Sequence, residues 1–249
     1  MYDPLALTEK IKESVDRGTY RRYYRLVRSG RWYGGIATAD CCGCPLRCVF
    51  CWSDAPRDHP DRIGKFYKPE EVFRAITSCA GKHGYKQVRV SGNEPTLGKE
   101  HLLELLEMVD KTQYMFILET NGILIDKEYA RELSKFQNLH VRVSIKGTTP
   151  DEFSLLTGAI PEAFQYQINA LKNLIEFGVS CHPAVMLSFS SKENSKNLRK
   201  EIKRIAPYLE EEIEEEYVFL YPHVVKRLKK AGIKPLVAYD PNGIPKELI

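Results

Sequence analysis

Six short apolar stretches, each separated from the next by a helical pattern, limit most strongly what this 249-residue chain can fold into. "GGIATA" (34–39), "KQVRVSG" (86–92), "YMFILET" (114–120), "LHVRVSIKG" (139–147), "GVSCHPAVML" (178–187) and "EYVFLYP" (216–222) are β-branched or aromatic and are bounded by Gly, Pro or polar turns, as strands are. Between them, "KPEEVFRAITSCAG", "LGKEHLLELLEMVDK", "DKEYARELSKF", "PEAFQYQINALKNLIEFG" and "SKENSKNLRKEIKRIAPYL" carry apolar residues at helical spacing. Parallel strands need a crossover of about a dozen residues or more, and each intervening segment can supply one. The chain is therefore expected to be α/β on a parallel sheet. An open doubly wound sheet and a full or partial (β/α) barrel both satisfy the pattern. In either, ligands gather at the carboxyl ends of the strands.

Ahead of the first strand, Leu7, Ile11 and Val15 fall on one helical face of "ALTEKIKESVDRG", and residues 1–33 are read as an N-terminal helical extension. A core domain is expected over 34–232 and a C-terminal tail over 233–249. Within the extension, Arg17, Arg21, Arg22, Arg25, Arg28 and Arg31 interleave with Tyr20, Tyr23, Tyr24, Trp32 and Tyr33. The favoured reading is an amphipathic helix with its tyrosines on the core and its arginines solvated. The alternative is an RNA-binding stretch, in which guanidinium groups take phosphates and rings stack on bases. The net charge of +4 admits an anionic partner but is far from that of a dedicated nucleic-acid binder. No run approaches the ~20 apolar residues of a membrane span and the charged N-terminus lacks an apolar signal core, so the protein is expected in the cytoplasm with no membrane partner.

Five of the seven cysteines lie in "CCGCPLRCVFC", residues 41–51, directly after the first strand pattern. In a reducing compartment such a group is expected to bind metal rather than form disulfides. Cys44, Cys48 and Cys51 have the spacing C-x3-C-x2-C. Structural zinc sites use four protein ligands, commonly as two C-x2-C pairs, and no second pair exists here; His59 is the one nearby candidate, in a polar loop. Three thiolates suit a four-iron cluster with one iron left open.

"CPLRCVFC" resembles the cluster loop of the radical S-adenosylmethionine (SAM) superfamily. The resemblance implies that Cys44, Cys48 and Cys51 hold a [4Fe-4S] cluster whose fourth iron is chelated by SAM, inside a partial (β/α)6 parallel barrel. Later strand ends carry further similarities. "GNEP" (Gly92, Asn93, Glu94, Pro95) is similar to the family's "GGEP", with Asn93 in place of the second glycine. It is expected to meet the SAM amino group, with the Glu94 carboxylate facing the ammonium. Thr120 and Asn121 match "TNG", near the methionyl or ribose part of SAM. Ser144 and Lys146 alternate onto one side of their strand and correspond to groups for the ribose hydroxyls and carboxylate. Tyr221, Pro222 and His223 resemble, in altered order, a Pro-Tyr-His near the adenine.

The activity implied is reductive cleavage of SAM to a 5′-deoxyadenosyl radical, which abstracts a hydrogen atom from a substrate. A flavodoxin- or ferredoxin-type one-electron donor is implied as partner. The compact size is similar to that of activating-enzyme and small nucleobase-modifying members, so a protein or peptide, a small molecule and a transfer RNA all stand as substrates. A non-enzymatic metal module contacting RNA through residues 17–33 is the remaining alternative. Of the other residues, Cys79 and Cys181 are expected as buried small groups, and Cys41 and Cys42 as filling beside the cluster loop or as a substrate-side thiol. His101 and His140 are expected at the surface or as caps, His182 and His223 as weaker site candidates. The acidic run 210–216 is expected as a solvated helix end.

Overall fold

The computed structural model describes residues 1–243; residues 244–249 of the expected C-terminal tail lie outside the described residues. In chain order the elements are α1 (Pro4–Val15), β1 (Asp16–Arg17), β2 (Tyr20–Gly30), β3 (Ile36–Cys41), α2 (Asp54–Asp58), β4 (Lys65–Tyr67), α3 (Pro69–His83), β5 (Gln87–Gly92), α4 (Lys99–Asp110) and β6 (Met115–Thr120). They continue with α5 (Lys127–Leu133), β7 (Leu139–Ile145), α6 (Pro150–Thr157), α7 (Phe164–Glu176), β8 (Cys181–Met186), α8 (Lys192–Ile205), α9 (Pro207–Glu211), β9 (Glu214–Glu216), β10 (Val218–Phe219), α10 (Pro222–Ala231) and β11 (Ala238–Tyr239).

Six strands, β3, β5, β6, β7, β8 and β9, pair in that order and all in parallel, giving the expected partial (β/α)6 arrangement. The sheet curls: the Tyr33 hydroxyl, from the turn that enters β3, donates to Glu214 on β9 at 3.2 Å although four strands intervene. Helices cover the outer face. Leu102, Leu105, Leu106 and Val109 of α4 and Ile168, Leu171 and Leu174 of α7 are buried, each contributing roughly 1.5–3 kcal/mol of burial. No helix among the described residues is long and apolar enough to cross a membrane.

Expectations for the N-terminal extension are corrected. Residues 20–30 are a strand, not a helix: β2 pairs antiparallel with β3 and with β4, burying Arg21 and Tyr23 on one face. Within the extension only residues 4–15 are α-helical, capped by the Asp3 carboxylate. The arginines of β2 are not all solvated either. Arg21 is buried and donates to the carbonyls of Val15, Cys42 and Glu94, while Arg28 makes a two-pronged pair with Asp40 at 2.7 and 3.0 Å.

The sixth parallel strand starts earlier than predicted. β9 is Glu214–Glu216, whereas Val218 and Phe219 form β10 and pair with β11 in a separate two-stranded sheet. The acidic run is therefore a helix end only over Glu210 and Glu211 in α9. Glu214 and Glu216, two apart on a strand, point to the same side and meet Arg142 on β7.

Candidate active site

β3 ends at Cys41 and the chain turns at Gly43, whose φ of +82° few side chains adopt and where a Cβ would lie 2.7 Å from Ile11 Cγ2. The turn launches the loop that carries Cys44, Cys48 and Cys51. Each of these three cysteines offers its carbonyl to a different guanidinium: Arg47 to Cys44, Arg57 to Cys48 at 2.7 Å, and Arg227 of α10 to Cys51. The loop is also tied to distant chain, with Arg47 N donating to the Tyr2 hydroxyl at 2.8 Å and Val49 N to Leu156 O at 2.9 Å. Its shape is thus set by the N-terminus, α6 and α10 together.

The Cys44 sulfur accepts from Leu46 N at 3.4 Å and from Asn121 Nδ2 at 3.5 Å, so the end of β6 already touches the cysteine loop. Burial pushes the Cys48 thiol up to about 11 against the opposing charge of Lys146, and burial, with Glu94 adding, raises Cys44 further. Thiols held this way lose their protons when metal binds rather than before. Among the described residues no three His, Cys, Asp or Glu side chains converge on a point that one metal ion could occupy. A cubane cluster asks something else of its ligands, one iron for each thiolate, and three thiols around one loop match that donor set. His59, the zinc alternative, is exposed at the end of α2.

All three cysteines line one cavity of about 890 Å³, within the size range of small-molecule sites. Of the residues singled out from the sequence, Gly92, Asn93, Thr120, Asn121, Ser144, Lys146 and Tyr221 line the same cavity, which brings together the ends of β5, β6 and β7 and the start of α10. Gly92, with φ of +100°, leaves no room for a Cβ against the backbone of Cys41. Asn93 accepts from Gly43 N at 3.0 Å and donates to Ser53 O at 3.0 Å, clamping the start and end of the cysteine loop to β5. A second glycine could not make that clamp.

Glu94 and Pro95 stand behind the wall rather than in it. The Glu94 carboxylate is fully buried and accepts from Thr96 N, Thr96 Oγ1 (2.6 Å), Thr120 Oγ1 (2.7 Å) and Asn121 N (2.8 Å). Burial raises its pKa, against the four donors. Its oxygens are engaged by protein, so it fixes the strand end that carries Thr120 and Asn121. Cys41 and Cys42 are buried, their thiols pushed by burial to about 11 and about 12, and Cys42 donates to Ile63 O. They pack beside the loop and do not line the cavity.

The cavity floor holds a set of charges that the sequence reading missed. Arg89 pairs with Glu119 at 2.5 Å, and Ser91 donates to the same carboxylate. Arg142 reaches Glu214 at 2.7 Å and Glu216 at 2.9 Å, Ser144 donates to Glu216 at 2.7 Å, and Lys146 lies 3.6 Å from it. Burial would raise Glu119 and Glu216, but Arg89 and Arg142 for the first, and Lys146 and Arg142 for the second, hold both below the ordinary carboxylate range. Strand parity was the available signal: Arg142 shares a face with Ser144 and Lys146, and Arg89 with Ser91.

Below this floor a directional chain of hydrogen bonds forms. Glu214 can only accept, so His182 Nε2 donates to it (3.1 Å), His182 Nδ1 accepts from His140 Nε2 (2.6 Å), and His140 Nδ1 accepts from Ser180 (2.8 Å). His140, expected at the surface or as a cap, is half-buried on β7 and bonds the exposed Ser180. His101, by contrast, is buried: its Nδ1 donates to Thr19 O, leaving Nε2 to accept from Tyr23. His223 sits on α10 and bonds the Trp52 carbonyl at 3.0 Å, at the edge of the cysteine loop.

A partial (β/α)6 barrel whose first strand delivers three cysteines to a cavity lined by later strand ends is the framework of a cluster-dependent enzyme. A family model described as the radical SAM superfamily matches residues 40–201. The chain belongs to that superfamily, whose members are enzymes that use a [4Fe-4S] cluster and SAM and need a reductant and a substrate. The chain is similar to a probable GTP 3′,8-cyclase of Pyrobaculum aerophilum, 29% identical over 137 residues, covering 55% of this chain and 42% of that protein. It is similar to Fe-coproporphyrin III synthase of Methanosarcina barkeri, 32% identical over 171 residues, covering 68% of this chain and 39% of that protein. It thus spans about two fifths of the length of these relatives. Among solved structures, Streptococcus suis SuiB bound to S-adenosylmethionine shares the fold, with a TM-score of 0.54 and 24% identity over 66% of this chain and 36% of that chain.

Proposed function

We propose that this protein cleaves SAM reductively at a cluster held by Cys44, Cys48 and Cys51 and abstracts a hydrogen atom from a small-molecule substrate bound in the same cavity. The observation that carries this reading is the convergence of the three cysteines with Gly92, Asn93, Thr120, Asn121, Ser144, Lys146 and Tyr221, drawn from across the chain, on one cavity. When bound, the cluster and SAM supply a 5′-deoxyadenosyl radical by one-electron cleavage of the sulfonium. The chain's own residues do the rest. Asn93 and the three arginines hold the cysteine loop, and Lys146 offers an ammonium to a carboxylate. The ends of β5 and β6 offer backbone polar groups, and the ion-paired floor closes the cavity from below.

The small-molecule class is supported by the size of the cavity, about 890 Å³, and by relatives named for GTP and for Fe-coproporphyrin. The case for RNA weakens because β2 spends Arg21 and Arg28 on internal partners. SAM affinity tests the site assignment. In anaerobically reconstituted protein, Lys146→Ala is expected to weaken SAM binding about tenfold or more, the worth of one charge-assisted hydrogen bond, at unchanged iron content. Calorimetry giving equal affinities would reject the role of Lys146.

A further inference from the structure

We propose that the exposed basic edge of α10 is the docking surface for an acidic one-electron donor protein. The proposal rests on the radical SAM reading, since it assigns where the electron for that site enters.

Residues 217–239 contain Lys226, Arg227, Lys229, Lys230 and Lys234 and no Asp or Glu, so this short segment holds more positive charge than the net +4 of the whole chain. Val224 and Leu228 are buried and fix which way α10 faces. His223 and Arg227 then lie on the edge that meets the cysteine loop. His223 bonds Trp52 O at 3.0 Å, and Arg227 bonds Val49 O at 3.0 Å, Cys51 O and the Asp54 carboxylate. Lys226 and Lys230, three or four residues from these on the helix, continue the same edge outward and are exposed. Arg227 links that basic edge directly to the carbonyl of Cys51, a predicted cluster ligand.

Transient electron-transfer encounters use small interfaces, and their rates depend on complementary charge that steers the partners together. A one-helix basic edge beside the cluster loop has the size and sign for an acidic partner. Of the nearby acidic groups, Asp54 is engaged by Arg227, and Asp58 by Arg57 and Arg47. Trp52, 48% exposed, stands at the rim, where Tyr221 and His223 also stack with ring centroids 5.8 Å apart; because single-stranded RNA is held by successive stacked rings, transfer RNA is one arm of the test. In the step itself the donor is oxidised by one electron and the bound cluster is reduced by one.

The test compares two reductants on the full reconstituted chain, with reduced flavodoxin as the protein probe and dithionite as a small one. For the Lys226→Glu/Lys230→Glu variant, stopped-flow bleaching of the cluster by flavodoxin is expected to slow at least tenfold and to lose its salt dependence. Dithionite-driven 5′-deoxyadenosine formation is expected to match wild type. An unchanged flavodoxin rate overturns the proposal, and so does an equal loss with both reductants, because dithionite needs no docking surface. Loss of transfer RNA retention at an unchanged flavodoxin rate would give the edge to RNA and also overturn it. A wild-type protein that makes no 5′-deoxyadenosine even with dithionite refutes the underlying reading instead.

Discussion

Asn93 and Glu94 both bind the protein's own chain around the site. Asn93 stands where the family has glycine, yet its side chain spans Gly43 and Ser53 and so holds the cysteine loop. Glu94, the motif's charged member, faces the protein. Its two oxygens collect backbone N–H groups of Thr96 and Asn121 and two threonine hydroxyls. In Glu94→Gln one amide nitrogen must face a backbone N–H, and an unsatisfied buried donor costs about 1–3 kcal/mol. Urea unfolding of Glu94→Gln is expected to show that loss, with SAM binding weakened through the displaced Thr120 and Asn121. A wild-type urea midpoint would mean that the carboxylate does not hold this strand end.

At the scale of elements, β9 shows how a local reading fails. Three consecutive glutamates have poor strand propensity, and nothing adjacent in sequence explains why Glu214 and Glu216 should turn inward. Their partner, Arg142, is 8% exposed and lies on β7, some seventy residues earlier. Burial would raise Glu214, but hydrogen bonds from Arg142 and His182 hold it well below the ordinary carboxylate range, as Lys146 and Arg142 do for Glu216. Carboxylates with depressed folded pKa values contribute stability that is present above their unfolded pKa of about 4.3 and lost as pH falls through the folded values. Wild type is therefore expected to lose stability as pH drops below about 4. Arg142→Met, which leaves Glu214 to His182 and Glu216 to Ser144 and Lys146, should be about 1.5–3 kcal/mol less stable at pH 7 and should lose less on acidification. Equal urea midpoints at pH 7, or parallel acid profiles, would contradict the pairing. The strand β2 was hidden for a different reason. Register shifts between Tyr23 and Arg25 and between Arg25 and Arg28 break its two-residue period, so its arginines and tyrosines imitate a helical face.

At the scale of the molecule, what was legible in the sequence was what is local. Spacing marks Cys44, Cys48 and Cys51 because one loop carries them, and five of the six parallel strands announce themselves by composition. The charged floor of the cavity and the grip of α10 on the cysteine loop were not legible. Arg89 and Glu119 become neighbours when β5 pairs with β6, Arg142 and Glu214 across the intervening β8, and Arg227 and Cys51 when α10 packs on the loop. The three cysteines in this frame are expected to hold a cluster that drives SAM cleavage. Dithionite-dependent 5′-deoxyadenosine formation in anaerobically reconstituted protein, wild type against Cys48→Ala, tests this. The prediction is 5′-deoxyadenosine and brown iron–sulfur absorbance from wild type and neither from the variant. No 5′-deoxyadenosine from wild type, or an undiminished yield from Cys48→Ala, would contradict it.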